Sequence, residues 1–185
     1  MSRLVELTEK EMLPPEAHAA YDMIADSRSG RVGGPFGILL RSPEVATRIA
    51  HFGTYVRFES SIPAPVRAIA ALVPASELEC VYMLAGHPQA AANAGVSAAA
   101  IECILNRSDV TGLAPEEAQP ILFARDVLTR HRVDNDCWKM VLAQLRERGI
   151  TEFMATIGYY TMLTCILNPS EVPGSSSPRH LARDA

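Results

Sequence analysis

Pro74-Ala-Ser-Glu-Leu-Glu-Cys-Val-Tyr-Met-Leu-Ala-Gly-His-Pro88 is the most informative stretch of the chain. Pro74 is expected to break the helix before it, since proline lacks the N–H that a helix interior needs. Ser76 followed by Glu79 has the spacing of a capping box, which would restart a helix. Cys80 then falls in or near a first turn, where the positive end of the helix dipole favours a thiolate. Glu77 and Glu79 oppose that effect, because nearby negative charge raises a thiol pKa. His87 comes seven residues after Cys80. On a helix this is about two turns, so the two side chains share a face with Met83 between them. Pro88 cannot donate to the carbonyl four residues back and is expected to open or kink the helix beside the histidine.

The periodicity on both sides is helical. Val66, Ile69, Ala70 and Val73 recur at i, i+3, i+4 and i+7, as do Trp138, Val141, Leu142 and Leu145. Pro14-Pro15 opens a helix running to about Asp26, and Ser27 to Pro35, with Gly30, Gly33 and Gly34, reads as a loop. Ser42 and Pro43 start a helix to about Phe58. Ser61 to Pro63 leads into the next, Gly95 ends one, and Ser97 caps another that ends near Asn106. Pro115 opens a helix to about His131. Asp134 caps a helix that Gly149 is expected to close, and Thr151 to Leu167 forms a long apolar helix. The count is seven or eight helices, with no strand pair and no repeat. The fold class read here is all-α: a helical bundle formed by one domain over residues 1–173, followed by a flexible tail over 174–185.

The formal net charge is −4 and no arm is rich in Lys or Arg, so nucleic acid is not an expected partner. An anionic substrate would have to be captured by a few local cations. No apolar run reads as long enough for a bilayer, and Met1-Ser-Arg-Leu-Val-Glu lacks the apolar core of a signal peptide; a cytoplasmic protein with no membrane partner is expected. Cys80, Cys103, Cys137 and Cys165 are widely spaced and form no CxxC, so neither a metal site nor a disulfide framework is expected.

With these residues in place, the chain resembles the carboxymuconolactone decarboxylase and alkylhydroperoxidase D-like family. In that family's central motif a cysteine or small residue precedes a histidine by seven positions, and a small-residue helix ending in Ala-Gly follows. Here that helix reads His87-Pro-Gln-Ala-Ala-Ala-Asn-Ala-Gly95. Gly34 to Pro43, Arg57 to Pro63, Ile157 to Leu163 and Asn168 to Pro173 are similar to other family segments, so the resemblance covers roughly Leu7 to Pro173. This sequence departs from the peroxidase members, which carry a second cysteine where Met83 stands and a glutamate where Ala68 follows Arg67. Many other relatives read Tyr-Glu-Trp where this chain has Tyr82-Met83-Leu84.

The resemblance implies an all-α bundle, assembly as a trimer or hexamer, and a small-molecule substrate. The apolar 151–167 helix is consistent with a subunit contact. Three functions stay open: a cofactor-free lyase, decarboxylase or isomerase acting on a small cyclic or aromatic-derived acid or lactone; a thiol peroxidase using Cys80 with a distant or external resolving thiol; and a non-catalytic binder. His87 is the candidate acid–base, as its ordinary pKa suits proton transfer near neutrality. Against that stands a structural place at the kink. Cys80 is a nucleophile or a buried small apolar residue. Glu59 is a site carboxylate or a cap. Arg57 or Arg67 would clamp a substrate carboxylate by paired hydrogen bonds. Tyr82, Met83 and Phe36 are candidate pocket walls, and Tyr159 and Tyr160 belong first to the core or an interface.

Overall fold

The computed structural model describes residues 2–174. Its α-helices are α1 (His18–Asp26), α2 (Pro35–Leu39), α3 (Pro43–Thr54), α4 (Ala64–Glu77), α5 (Val81–Leu84), α6 (His87–Asn93), α7 (Ala98–Asn106), α8 (Pro115–Thr129) and α9 (Asn135–Leu167). Nine helices among the described residues exceed the seven or eight read from the sequence, because α2 and α5 are too short to leave a periodic signature. There is no strand among the described residues. The proposed tail lies outside them from residue 175 onward.

α4 and α9 form the spine, and α8 and α6 pack along α4. Val66, Ile69, Ala70, Leu72 and Val73 of α4 are at most 4% exposed and pack with Ile104, Ile121, Phe123, Val141 and Phe153. A second cluster joins Ile24, Phe36, Leu40, Ala46, Ala50 and Val56 to Tyr159, Leu163 and Leu167 at the far end of α9. Burying one such aliphatic or aromatic side chain contributes about 1.5–3 kcal/mol. The N-terminal segment straps across this second cluster. Leu7 N–H donates to the Gly37 carbonyl (2.9 Å), and Arg3 N–H donates to the Ser170 carbonyl (2.8 Å) at the exit of α9.

Several start signals act as the sequence indicates. The Ser97 hydroxyl accepts from Ala100 N–H at 3.1 Å, and the Asp134 carboxylate accepts from Asp136 N–H at 2.9 Å. Pro43 and Pro115 occupy first-turn positions.

Four readings are corrected. Pro74 does not break its helix: α4 runs through it to Glu77. The lost hydrogen bond is outweighed by the burial of the whole central helix. Ser76 and Glu79 do not form a capping box. The Ser76 hydroxyl donates to the Ile104 carbonyl at 2.7 Å, and Glu79 has φ +53°. Arg107 and Asn168 then satisfy carbonyls at the end of α4, donating to Ser76 O (2.6 Å) and Leu78 O (2.6 Å).

Gly149 does not close a helix either. The break in α9 is at Arg146 (φ 63°, ψ 175°), and Gly149 is a buried close-packing position. A Cβ there would sit 3.0 Å from Leu145 Cβ. Finally, the apolar-run reading changes, since α9 is long and apolar enough to pass as a span, with a best window of mean hydropathy 1.3. Its apolar face is spent inside the protein: Phe153, Ile157, Leu163 and Leu167 are at most 6% exposed. Positions 151, 158 and 165 are its exposed line in that stretch.

Candidate functional site

Cys80 and His87 do not lie on one continuous helix. Cys80 occupies the N-cap position of α5, a single turn. Ala85 and Gly86 then redirect the chain, and His87 opens α6 with Pro88 in its first turn. Pro88 therefore starts a helix rather than kinking one. The redirection swings Tyr82, Met83 and His87 toward the strap, the 27–34 loop and α9.

These elements enclose a cavity of about 680 Å³. Its aromatic wall consists of Phe36, Tyr82, Tyr159 and Tyr160; Met83, Leu163 and Leu167 close the apolar side. Arg28, Arg31 and Arg57 bring positive charge, with Thr8 and Arg31 at the exposed rim. Five candidates from the sequence converge here: Phe36, Arg57, Tyr82, Met83 and His87. Two glycines make room for the phenols. Gly34 has φ +56°, and a Cβ on it would come within 2.2 Å of the Tyr82 hydroxyl. A Cβ on Gly53 would come within 2.2 Å of the Tyr159 hydroxyl. Gly34 N–H is also fixed by Glu6, whose Oε2 accepts from it at 2.6 Å.

Arg57 reaches the cavity from a π-turn, Tyr55–Glu59, which adds a residue to the end of α3. The Arg28 guanidinium lies over the Phe36 ring, 3.7 Å from its centroid. His87 meets Tyr160 edge to face at 5.3 Å, and Tyr160 meets Tyr159 in the same manner at 5.2 Å. No hydrogen bond within the described residues engages the His87 ring, Arg28, Arg31 or Arg57 through their side chains.

Burial, reinforced by the positive charge of Arg57, pushes the His87 pKa down to about 4. The imidazole is thus neutral at pH 7 and free to accept a proton. Burial raises the pKa of Tyr82, Tyr159 and Tyr160, which keeps all three as hydroxyl donors. Burial lowers that of Arg28, with Arg57 acting the same way and Tyr159 opposing. The Arg28–Tyr159 approach influences both groups, although it falls short of a well-formed hydrogen bond.

Three candidates do not reach the cavity. Cys80 is 0% exposed and sits in the packed core off the cavity wall. Burial raises its thiol pKa, outweighing the backbone groups of Met83 and Tyr82 that lower it. Glu59 ends the π-turn and is exposed to solvent. Arg67 is held at the start of α4 by the Ile62 carbonyl (3.3 Å) and the Ser60 hydroxyl (3.5 Å). Cys103 and Cys137 lie in or beside the other core cluster and Cys165 is exposed, so no second thiol stands beside Cys80.

The sequence reading passed over Arg28 and Arg31, and gave Tyr159 and Tyr160 mainly to the core. A signal for the arginines existed: two cations flank Gly30 in a loop that ends in Gly33-Gly34. A second cleft of about 740 Å³, between α6 and α7, has Glu102 as its sole charged lining residue and offers no comparable chemistry. No cluster of three His, Cys, Asp or Glu side chains suited to a metal occurs among the described residues.

The sequence model of the carboxymuconolactone decarboxylase family matches residues 43–126. No curated protein matches the chain in sequence. Solved structures do match in fold. An uncharacterized peroxidase-related protein with an alkylhydroperoxidase core, from Ralstonia eutropha JMP134, aligns at TM-score 0.74 and 12% identity, over 95% of this chain and 93% of its own. The debrominase Bmp8 in its apo form aligns at TM-score 0.72 and 14% identity, over 95% and 94%. A peroxidase-related protein from Silicibacter sp. TM1040 aligns at TM-score 0.70 and 13% identity, over 93% of both chains. At these identities the likeness is one of fold.

Proposed function

Because residues 43–126 match the sequence model of the carboxymuconolactone decarboxylase family, we propose that this chain is an acid–base enzyme, a lyase, decarboxylase or isomerase, acting on a small cyclic or aromatic-derived carboxylic acid or lactone. One observation carries the reading: His87, with a pKa of about 4, faces the same cavity as three guanidinium groups, unpaired among the described residues, and three phenols.

A neutral imidazole accepts a proton from a carbon next to a carbonyl. The electron pair moves onto the carbonyl oxygen, and that oxyanion is stabilised by Arg57 and the tyrosine hydroxyls. The imidazolium formed beside Arg57 is unfavourable alone, but the developing oxyanion offsets it. Returning the same proton to another carbon completes an isomerisation. In a decarboxylation the C–C bond breaks instead, its electron pair passes through the same oxyanion, and the carbon then takes one proton per turnover, relayed from water through His87. Met83, Leu163 and Leu167 supply an apolar wall, and desolvating a carboxylate favours loss of carbon dioxide.

The thiol-peroxidase reading finds no comparable support. A buried, protonated Cys80 without a neighbouring thiol is poorly placed for attack on a peroxide. A cytoplasmic location and a homo-oligomer complete the proposal. The test is a panel of small cyclic carboxylates and lactones in deuterated buffer, followed by proton NMR for C–H exchange and product. Wild type and Cys80→Ser should turn over alike, while His87→Ala should lose about 10² to 10⁴ in rate. Hydroperoxide turnover that vanishes in Cys80→Ser would replace this reading with the peroxidase one.

A further inference from the structure

Arg28 is contributed by the loop between α1 and α2, outside the family-matched residues 43–126. Its Nε is the buried side-chain nitrogen or oxygen that lacks a hydrogen-bond partner among the described residues. An unmet buried donor is costly, more so on a charged group, and an anion bound beside the guanidinium would offset that cost through its charge. The guanidinium face is occupied by the Phe36 ring at 3.7 Å. Stacking of this kind leaves the donors in the guanidinium plane as the means of contact. With Nε sealed inside the protein, the edge carrying the two Nη groups is the one a carboxylate can meet bidentately.

Charge agrees. Arg28, Arg31 and Arg57 form no ion pair among the described residues, and no Asp or Glu lines the cavity. Glu6, the carboxylate near Tyr82, is already engaged by Gly34 N–H. In a chain of net charge −4, an unpaired cationic cavity is a local arrangement and not a result of composition.

The two inner arginines differ in what they act on. Arg57 bears on the proton affinity of His87, whereas Arg28 is not among the charges that do so. We propose that Arg28 is the substrate-carboxylate anchor, gripping the acid end-on through its two Nη groups while stacked on Phe36, and that Arg57 serves the proton-transfer end with His87. The substrate class is then a small planar acid whose carboxylate is held at the 27–34 loop while its reacting carbon lies at His87. This rests on the acid–base reading of the same cavity.

The test uses benzoate as the anionic probe and benzamide as its uncharged isostere. Binding is followed by calorimetry on the wild type, Arg28→Met, Arg28→Lys and Arg57→Met. His87 is titrated by NMR in each protein. Wild type should prefer benzoate. Arg28→Met should lose that preference by about tenfold or more, the loss expected for a charge-assisted hydrogen bond. Arg28→Lys keeps the charge without the fork and should fall in between, and it carries the comparison should the methionine variant fail to fold. Arg57→Met should keep the preference but move the His87 titration up from about 4 toward 6.5, a shift Arg28→Met should not produce.

A wild type that binds neither probe, or both equally, overturns the assignment. So does a preference that survives Arg28→Met and disappears in Arg57→Met. Turnover that persists in His87→Ala would instead remove the acid–base reading while leaving the carboxylate anchor to stand or fall by these affinities.

Discussion

His87 is a strong proton-linked group because two effects push in one direction: burial and the charge of Arg57 both disfavour the imidazolium. Its folded pKa lies below its unfolded value, so the unfolded chain binds more protons between the two. Its contribution to stability is therefore complete above pH 6.5 and is lost as pH falls toward 4. At about 1.4 kcal/mol for each pH unit, the loss approaches 3 kcal/mol. Denaturant unfolding of wild type and His87→Gln at pH 7.0 and 4.0 measures this: the wild type should lose about 3 kcal/mol more than the variant. Equal losses would mean that the histidine is solvated. The same depression makes the free enzyme's dependence on His87 flat across neutral pH.

Among the elements, the join between α3 and α9 depends on one buried carboxylate. Glu152 accepts from the Tyr55 hydroxyl (2.6 Å), Ser61 N–H (2.6 Å), the Ser61 hydroxyl (2.7 Å) and Arg148 Nε (2.9 Å). Burial pushes its pKa up, but these donors prevail and hold it at about 2. That stabilisation is present above pH 4.5 and is lost as pH falls toward 2. Because Tyr55 opens the π-turn that carries Arg57 and Ser61 follows it, the join also positions the cavity's inner cation. Glu152→Ala leaves several donors unmet and should cost about 3 kcal/mol, seen as a lower urea midpoint at unchanged slope. Glu152→Gln, which keeps one acceptor, should cost less. In the sequence only Arg148, four positions before it, marks Glu152; its other partners lie 91 and 97 positions away.

For the molecule as a whole, the outstanding expectation is assembly. α9 spends most of its apolar surface within the chain, yet Phe58 (62%), Val81 (51%) and Phe52 (40%) remain exposed. We expect sedimentation equilibrium to give three or six times the 20.1 kDa chain mass. A species of one chain mass across the micromolar range would reject this.

What the sequence determined by itself is local. Helical periodicity, first-turn prolines at Pro43 and Pro115, caps at Ser97 and Asp134 and the Cys80-to-His87 spacing carry an all-helical fold and a family resemblance, because each depends on residues within a turn or two of one another. The tertiary structure decided what those residues do. Local rules placed a break at Pro74, and the burial of α4 overrode it. They put Cys80 and His87 on one face, and the turn at Ala85-Gly86 separated a sealed thiol from a cavity-facing imidazole. Arg28, Arg57, Tyr159 and Tyr160 come from three distant parts of the chain, and nothing in the spacing of any one part shows that they meet. A site is a matter of proximity and dielectric, and both are properties of the packed whole.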